Sequence, residues 1–138
     1  MITLRQTSNS NTVPGIIFAH GNVGEALREA VEGMIGLRDD FIAISNADAG
    51  PDEIEERLQV IYQKYRDYHC IFIFIDLFGS SCWKAARLLS LRNKNIRIIT
   101  GVNLPMLLSF LTKRDRFPVD DLENLVREAG KRGIESRG

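Results

Sequence analysis

The sequence has no net formal charge and no long apolar run. Each absence excludes a class of partner or location. Its 18 basic and 18 acidic residues cancel, so no bulk field favours nucleic acid or an anionic membrane as a partner. The basic segment from Lys113 to Arg116 is interrupted by Asp115 and is predicted to be a solvated loop. No apolar run approaches the roughly 18 residues of a membrane span. We therefore expect one small globular domain.

Cysteine is scarce, which excludes a disulfide-stapled fold. Cys70 and Cys82 are the two cysteines of the chain, and such a count is typical of reduced thiols in a cytoplasmic protein. Residues 1–14 are rich in Ser, Asn and Thr and lack the apolar core of a signal peptide. These residues are predicted to be a mobile tail, followed by a folded domain over residues 15–138.

The motifs of nucleotide and metal sites are missing as well. The pattern G-x-x-x-x-G-K-[ST] does not occur, which argues against a nucleotide P-loop. Two histidines, His20 and His69, and no C-x-x-C pair make a zinc site improbable. The sequence near His20 lacks the cluster of acidic residues that would indicate a magnesium site. We therefore expect neither a metal nor a cofactor.

Short apolar runs alternate with helix-like segments along the whole chain. Strands are predicted at residues 15–19, 41–45, 70–75 and 96–100, and the helices after them begin near Val23, Pro51, Ser81, Leu104 and Pro118. This alternation is typical of an α/β doubly wound three-layer sandwich with a mostly parallel central sheet. We assume the flavodoxin-like strand order 2-1-3-4. Residues 133–136 are a possible antiparallel edge strand.

Two residues able to do chemistry follow predicted strands directly. His20 comes after the first strand and Asp76 after the third. Ligands of open α/β sheets bind beyond the carboxyl ends of the strands, where the strand order reverses. With the assumed order, His20 and Asp76 become neighbours at that edge. A carboxylate that accepts from one imidazole N–H fixes the tautomer and leaves the other nitrogen as a nucleophile or base.

The junction after the third strand has the features of an anion site. Gly79-Ser80-Ser81 leads into a helix for which Ser81 is the predicted cap. Free backbone N–H groups and the helix dipole can hold phosphoryl oxygens there, and both serine hydroxyls can add donors. Gly21 and Gly79 allow close approach of the backbone. The predicted phosphate-binding residues are therefore Gly21, Gly79, Ser80 and Ser81.

Three segments together resemble a known family. Residues 15–22 read GIIFAHGN, residues 76–81 read DLFGSS and residues 100–107 read TGVNLPML. In this order and spacing they resemble the signatures of the mannose/fructose-type enzyme IIA domain of the bacterial phosphoenolpyruvate–sugar phosphotransferase system. The resemblance extends from about Gly15 to Ile134, which is nearly the whole predicted domain.

The resemblance implies a phosphotransferase that works through a phosphohistidine. The histidine matching His20 takes a phosphoryl group from the phosphocarrier protein HPr and passes it to an enzyme IIB in sugar uptake. Asp76 would hold the other ring nitrogen, and Ser81 would help to hold the phosphoryl group. The family is typically a cytoplasmic homodimer that exchanges a C-terminal edge strand and meets the membrane only through transporter components.

Two departures from the family pattern leave alternatives open. Ser80 stands where the family usually has a second glycine, and Cys82 stands where it has a proline. One alternative is a non-transporting regulatory module of the same fold, whose phosphorylation state controls a binding partner. The last alternative is a hydrolase that uses His20, Asp76 and either Ser81 or Cys82.

Overall fold

A parallel sheet lies between two layers of helices in the computed structural model, which describes residues 12–138. The strands of this described part are β1 Gly15–Ala19, β2 Phe41–Ser45, β3 Ile71–Ile75 and β4 Ile96–Thr100. The helices are α1 Val23–Ile35, α2 Pro51–Tyr65, α3 Ser81–Arg92, α4 Leu104–Lys113 and α5 Val119–Arg132.

The sheet has the order β2-β1-β3-β4, which confirms the predicted 2-1-3-4. All its strand pairs are parallel, and Gly15 of β1 lies opposite both Phe41 of β2 and Phe72 of β3. The possible antiparallel edge strand near the C-terminus is not formed. Helix α5 continues to Arg132, and Ile134 is 79% exposed among polar neighbours. Residues 133–138 read GIESRG, a composition that offers little apolar surface for packing against the sheet.

Helices cover both faces of the sheet because the central strands are apolar on both sides. Every residue of β1 and β3 is buried, as expected for a parallel sheet between helical layers. Successive side chains point to opposite faces, so that Ile16 joins the core under α2 and α3 while Ile17 joins the core under α1 and α4. Packing on both faces fixes the strand ends that carry the candidate site.

The folded part begins before the predicted boundary at Gly15. Residues 1–11 of the predicted tail lie outside the described residues. Val13 and Pro14, which the prediction also assigned to the tail, are buried, and the Pro14 carbonyl accepts a hydrogen bond of 2.9 Å from the N–H of Phe72. That bond extends the β1–β3 ladder by one step, so both residues belong to the domain.

Arg114 is buried, which corrects the predicted solvated loop. Its guanidinium donates to the carbonyls of Val13, Asp39 and Asp40 and lies over the ring of Phe110. These carbonyls gather at the amino-terminal ends of the strands, where one planar group with several donors can bind them together. Burial lowers the pKa of Arg114.

Both thiols lie in the core, which bears on the hydrolase alternative. Cys70 and Cys82 are 4% and 0% exposed, and burial raises the pKa of each to about 11. For Cys82 the nearby Asp76 carboxylate adds to the rise. The thiolate is the reactive form of cysteine, so at neutral pH the Cys82 thiol is protonated and enclosed. This removes Cys82 as a nucleophile.

We predict that neither thiol of the folded protein reacts readily with an aromatic disulfide reagent at pH 8. A pKa two units above that of an exposed cysteine lowers the thiolate fraction about 100-fold, and burial slows the reaction further. The measurement compares the absorbance time course of the native protein with that of the urea-unfolded chain. Labelling of native Cys82 at the unfolded rate would contradict this account.

Candidate functional site

His20 occupies the turn between β1 and α1. The strand ends at Ala19 because the chain turns away at Gly21, which has a φ of +54° that glycine adopts readily. The His20 carbonyl accepts a 3.0 Å hydrogen bond from the N–H of Val23, which closes the turn into the helix. The side chain of His20 is 44% exposed. Its ring therefore lies at the carboxyl-terminal ends of the strands and is accessible to solvent.

Asp76 meets His20 from the neighbouring strand. Phe18 lies opposite Ile75 in the parallel register, so the two strands end side by side. One carboxylate oxygen of Asp76 accepts from the His20 backbone N–H at 3.0 Å. The His20 Nδ1 atom lies 3.0 Å and 3.2 Å from the two carboxylate oxygens. An ionised carboxylate only accepts, so this contact places a hydrogen on Nδ1, and in the neutral form of the imidazole the lone pair is then on Nε2.

The loop after Asp76 ends in a capped helix. Gly79 has a φ of +83°, and Ser80 then adopts an extended backbone. The Ser80 hydroxyl oxygen accepts from the N–H of Trp83 at 3.2 Å, and the Ser80 carbonyl accepts from the N–H of Lys84 at 2.9 Å. The cap of α3 is therefore Ser80, one residue before the predicted Ser81. Ser81 becomes the first helical residue, and its exposed side chain is spared from capping.

The amino-terminal end of α3 suits an anion. In α-helical geometry the N–H groups of the first turn have no intrahelical acceptor, and Ser81 and Cys82 occupy that turn. The first turn of α3 contains no acidic side chain, whereas that of α2 contains Asp52 and Glu53. The positive end of the α3 dipole is therefore not neutralised by its own helix.

Asn46 lies beside His20 on the β2 side of β1, opposite to Asp76. It was not among the site residues predicted from the sequence. It follows β2 directly, and its side-chain oxygen accepts from the Gly21 N–H at 3.1 Å. Since β2 is the other neighbour of β1, the strand-end rule that points to His20 and Asp76 also places Asn46 at a strand end, although the sequence indicated no chemistry for its amide. In this structure the Gly21 N–H is thus engaged by the protein itself.

Exposed apolar side chains follow both His20 and Asp76 closely in the sequence. Leu77 and Phe78 are 61% and 69% exposed, and Val23 is 40% exposed. The Phe78 ring packs against Trp83 with 4.7 Å between centroids. Exposed apolar groups beside a polar centre are typical of protein interaction surfaces.

Two other kinds of functional feature are absent from residues 12–138. No group of three or more His, Cys, Asp or Glu side chains in this range is placed to hold a metal ion. None of the helices described for these residues is long and apolar enough to cross a membrane.

Known proteins resemble this chain over most of its length. The "PTS system mannose-specific EIIAB component" of Escherichia coli (strain K12) is 28% identical over 131 residues, covering 91% of this chain but 39% of the relative. The chain thus spans well under half of that relative. The "PTS system fructose-specific EIIA component" of Bacillus subtilis (strain 168) is 26% identical over 127 residues, covering 87% of this chain and 83% of the relative.

A solved structure and a family model agree with these relatives. The structure of phosphotransferase system component EIIA from Streptococcus agalactiae matches with a TM-score of 0.81 and 25% identity, over 90% of this chain and 96% of that one. The family model described as the PTS system fructose IIA component matches residues 15–127. That match runs from the first residue of β1 into α5 and takes in every strand and both loops of the site. The chain therefore belongs to the EIIA-man family of phosphotransferase-system IIA components.

Proposed function

We propose that this chain is a cytoplasmic phosphoryl carrier in sugar uptake. It accepts a phosphoryl group on His20 from phosphorylated HPr and passes the group to an enzyme IIB partner. The observation that carries the proposal is the His20–Asp76 pair, in which Nδ1 lies 3.0 Å from a carboxylate oxygen while the His20 side chain is 44% exposed. Family membership supports the phosphotransferase-system context.

The chemistry follows from the fixed tautomer. The Nε2 lone pair of His20 attacks phosphorus, and the bond between phosphorus and the donor's imidazole nitrogen breaks with its electron pair going to the donor ring. The phosphorylated His20 ring carries a positive charge while Nδ1 keeps its hydrogen. The Asp76 carboxylate stabilises that charge through the same contact. Transfer to the acceptor repeats the step in the other direction.

Donors around the start of α3 would hold the phosphoryl oxygens. The N–H groups of Ser81 and Cys82 lie in the first helical turn, and the Ser81 hydroxyl is exposed. Ser80 contributes its hydroxyl hydrogen, because its N–H donates to the Leu77 carbonyl and its oxygen caps the helix. Gly79 supports this arrangement through its positive φ.

Gly21 was also predicted as a phosphate ligand, but its N–H already has a hydrogen-bond partner in the structure. Its N–H donates to Asn46, so it could bind a phosphoryl oxygen only by exchanging that partner. We propose that Gly21 serves mainly as the turn that presents His20.

The surroundings of the ring support a protein partner for the transfer. A ring that is 44% exposed can be reached by the active histidine of another protein. The exposed Leu77, Phe78 and Val23 offer apolar contact area next to it. The proposal includes a homodimer, in keeping with the open edge of β4, which pairs only with β3 in the described chain. It also includes membrane association through transporter components alone.

The regulatory module considered from the sequence stays a prediction, because it would use the same phosphohistidine. Capture of partners by the phosphorylated and the unphosphorylated protein separates the two roles. A carrier transfers its phosphoryl group to the captured partner, whereas a regulator keeps the group and changes what it binds.

Replacement of His20 tests the acceptor. We predict that phosphorylated HPr labels the wild-type chain on His20, as mass spectrometry localises it, and that His20→Ala abolishes the label because no other side chain provides the held imidazole. An acid-labile label that persists in His20→Ala would overturn the assignment.

Replacement of Asp76 tests the tautomer argument. Asp76→Ala should slow single-turnover transfer by about 100-fold or more, since the ring loses both its orientation and the carboxylate that stabilises its charge. The circular dichroism spectrum should stay native. Asp67→Ala is the matched control. Asp67 is exposed and precedes β3, so it lies near the amino-terminal ends of the strands, away from His20. Equal rates for both variants would remove Asp76 from the mechanism.

Replacement of Phe78 tests the docking surface. Phe78→Ser should raise the KM for phosphorylated HPr about fivefold to tenfold, as loss of a central interface side chain does, and should leave the rate at saturating donor unchanged. Leu37→Ser serves as the control. Leu37 is 82% exposed and precedes β2, so it lies near the amino-terminal ends of the strands, away from Phe78. An unchanged KM for Phe78→Ser would show that the partner docks elsewhere.

A further inference from the structure

One polar contact of the site lies outside the three segments that carry the family resemblance. Asn46, the first residue after β2, reaches across the end of β1, and its side-chain oxygen accepts from the Gly21 N–H at 3.1 Å. The peptide group that contains this N–H also contains the His20 carbonyl. Asn46 therefore acts on the backbone of the very residue whose ring is the proposed acceptor.

Three hydrogen bonds fix the backbone around His20. Its N–H donates to Asp76 on the β3 side at 3.0 Å, and its carbonyl accepts from Val23 at 3.0 Å. The Gly21 N–H donates to Asn46 on the β2 side. Because Gly21 is exposed, has a φ of +54° and lacks a side chain, this turn has few other restraints. The contact with Asn46 holds it from the side that Asp76 does not reach.

Asn46 is itself held firmly. Its N–H donates to the Ala19 carbonyl at 3.2 Å, which continues the β1–β2 ladder, and its carbonyl accepts from the N–H of Ala49 at 3.3 Å. The preceding Ser45 carbonyl accepts from the guanidinium of Arg57 at 2.7 Å. Because these hydrogen bonds restrain the backbone at Asn46, its side chain can in turn restrain the neighbouring turn at Gly21.

We propose that Asn46 is a positioning residue for phosphoryl transfer, an inference that rests on the proposed function. By holding the His20–Gly21 peptide, it keeps the ring aligned with Asp76 at Nδ1 and keeps Nε2 aimed at the incoming phosphorus. Displacement of a reacting group by about 1 Å can cost about 100-fold in rate. The same contact occupies the Gly21 N–H, which leaves the N–H groups in the first turn of α3 as the proposed backbone donors to the phosphoryl oxygens.

The test compares two substitutions that each remove one hydrogen bond between an asparagine side chain and the backbone. Asn46→Ala removes the acceptor at Gly21. Asn93→Ala removes a 3.0 Å bond from a side-chain amide to the Leu89 carbonyl at the far end of α3. Asn46→Ala should lower the single-turnover rate at saturating phosphorylated HPr about tenfold, with an unchanged KM, because alignment and not docking is lost. Asn93→Ala should transfer at the wild-type rate.

A conservative variant provides the rescue. Asn46→Asp keeps an acceptor oxygen at the same place, and raised ionic strength screens the charge that it adds. Under those conditions it should recover most of the rate that Asn46→Ala loses. Failure of Asn46→Asp to exceed Asn46→Ala would overturn the role of the acceptor oxygen.

A second readout needs no phosphoryl donor. In nitrogen-15 NMR spectra the wild-type His20 ring should show one tautomer, and Asn46→Ala should shift its Nδ1 and Nε2 signals and speed hydrogen exchange at the Gly21 amide. Wild-type transfer together with unchanged His20 and Gly21 signals in Asn46→Ala would overturn the proposal. If wild-type protein accepts no phosphate, the proposed function fails, whereas the ring and amide signals still decide whether Asn46 positions His20.

Discussion

The contact between the Asp76 carboxylate and His20 is the interaction on which the rest of the site depends. It spans 56 positions of sequence and forms because β1 and β3 are adjacent, parallel and in register. Every residue of both strands is buried, so their carboxyl ends have little freedom to shift. The packing of the two apolar cores is therefore what holds a carboxylate within 3.0 Å of an imidazole nitrogen.

The site divides its tasks between the strands that flank β1. The β3 side provides Asp76 and the amino-terminal end of α3, which in the proposed mechanism stabilise the phosphorylated ring and hold the phosphoryl oxygens. The β2 side provides Asn46, whose contact with Gly21 restrains the turn. Nδ1 contacts the Asp76 carboxylate, so Nε2 is the ring nitrogen that accepts the phosphoryl group in the proposed mechanism. A half-exposed ring with apolar neighbours suits transfer between proteins better than binding of a small molecule.

Much of the fold was predictable because strands buried on both faces show as unbroken apolar runs, as in Ile71–Ile75. His20 and Asp76 followed from the rule on strand ends. The contacts that were missed are made to long-range partners, which leave no local pattern, and for Asn46 the strand-end rule gives the position but not the contact with Gly21. Arg114 looks like a surface residue until the carbonyls of Val13 and Asp39 are brought to it. Asn46 looks like an ordinary turn residue until the β1 loop folds beside it.

The central claim is that Asp76 fixes the His20 tautomer and so directs phosphorylation to Nε2. Nitrogen-15 NMR of the imidazole ring after phosphorylation by HPr tests this most directly, because the two ring nitrogens give separate signals. The account predicts a phosphorylated Nε2 and a protonated, hydrogen-bonded Nδ1. A phosphoryl group on Nδ1 would contradict it, since that nitrogen is the one the Asp76 carboxylate holds at 3.0 Å.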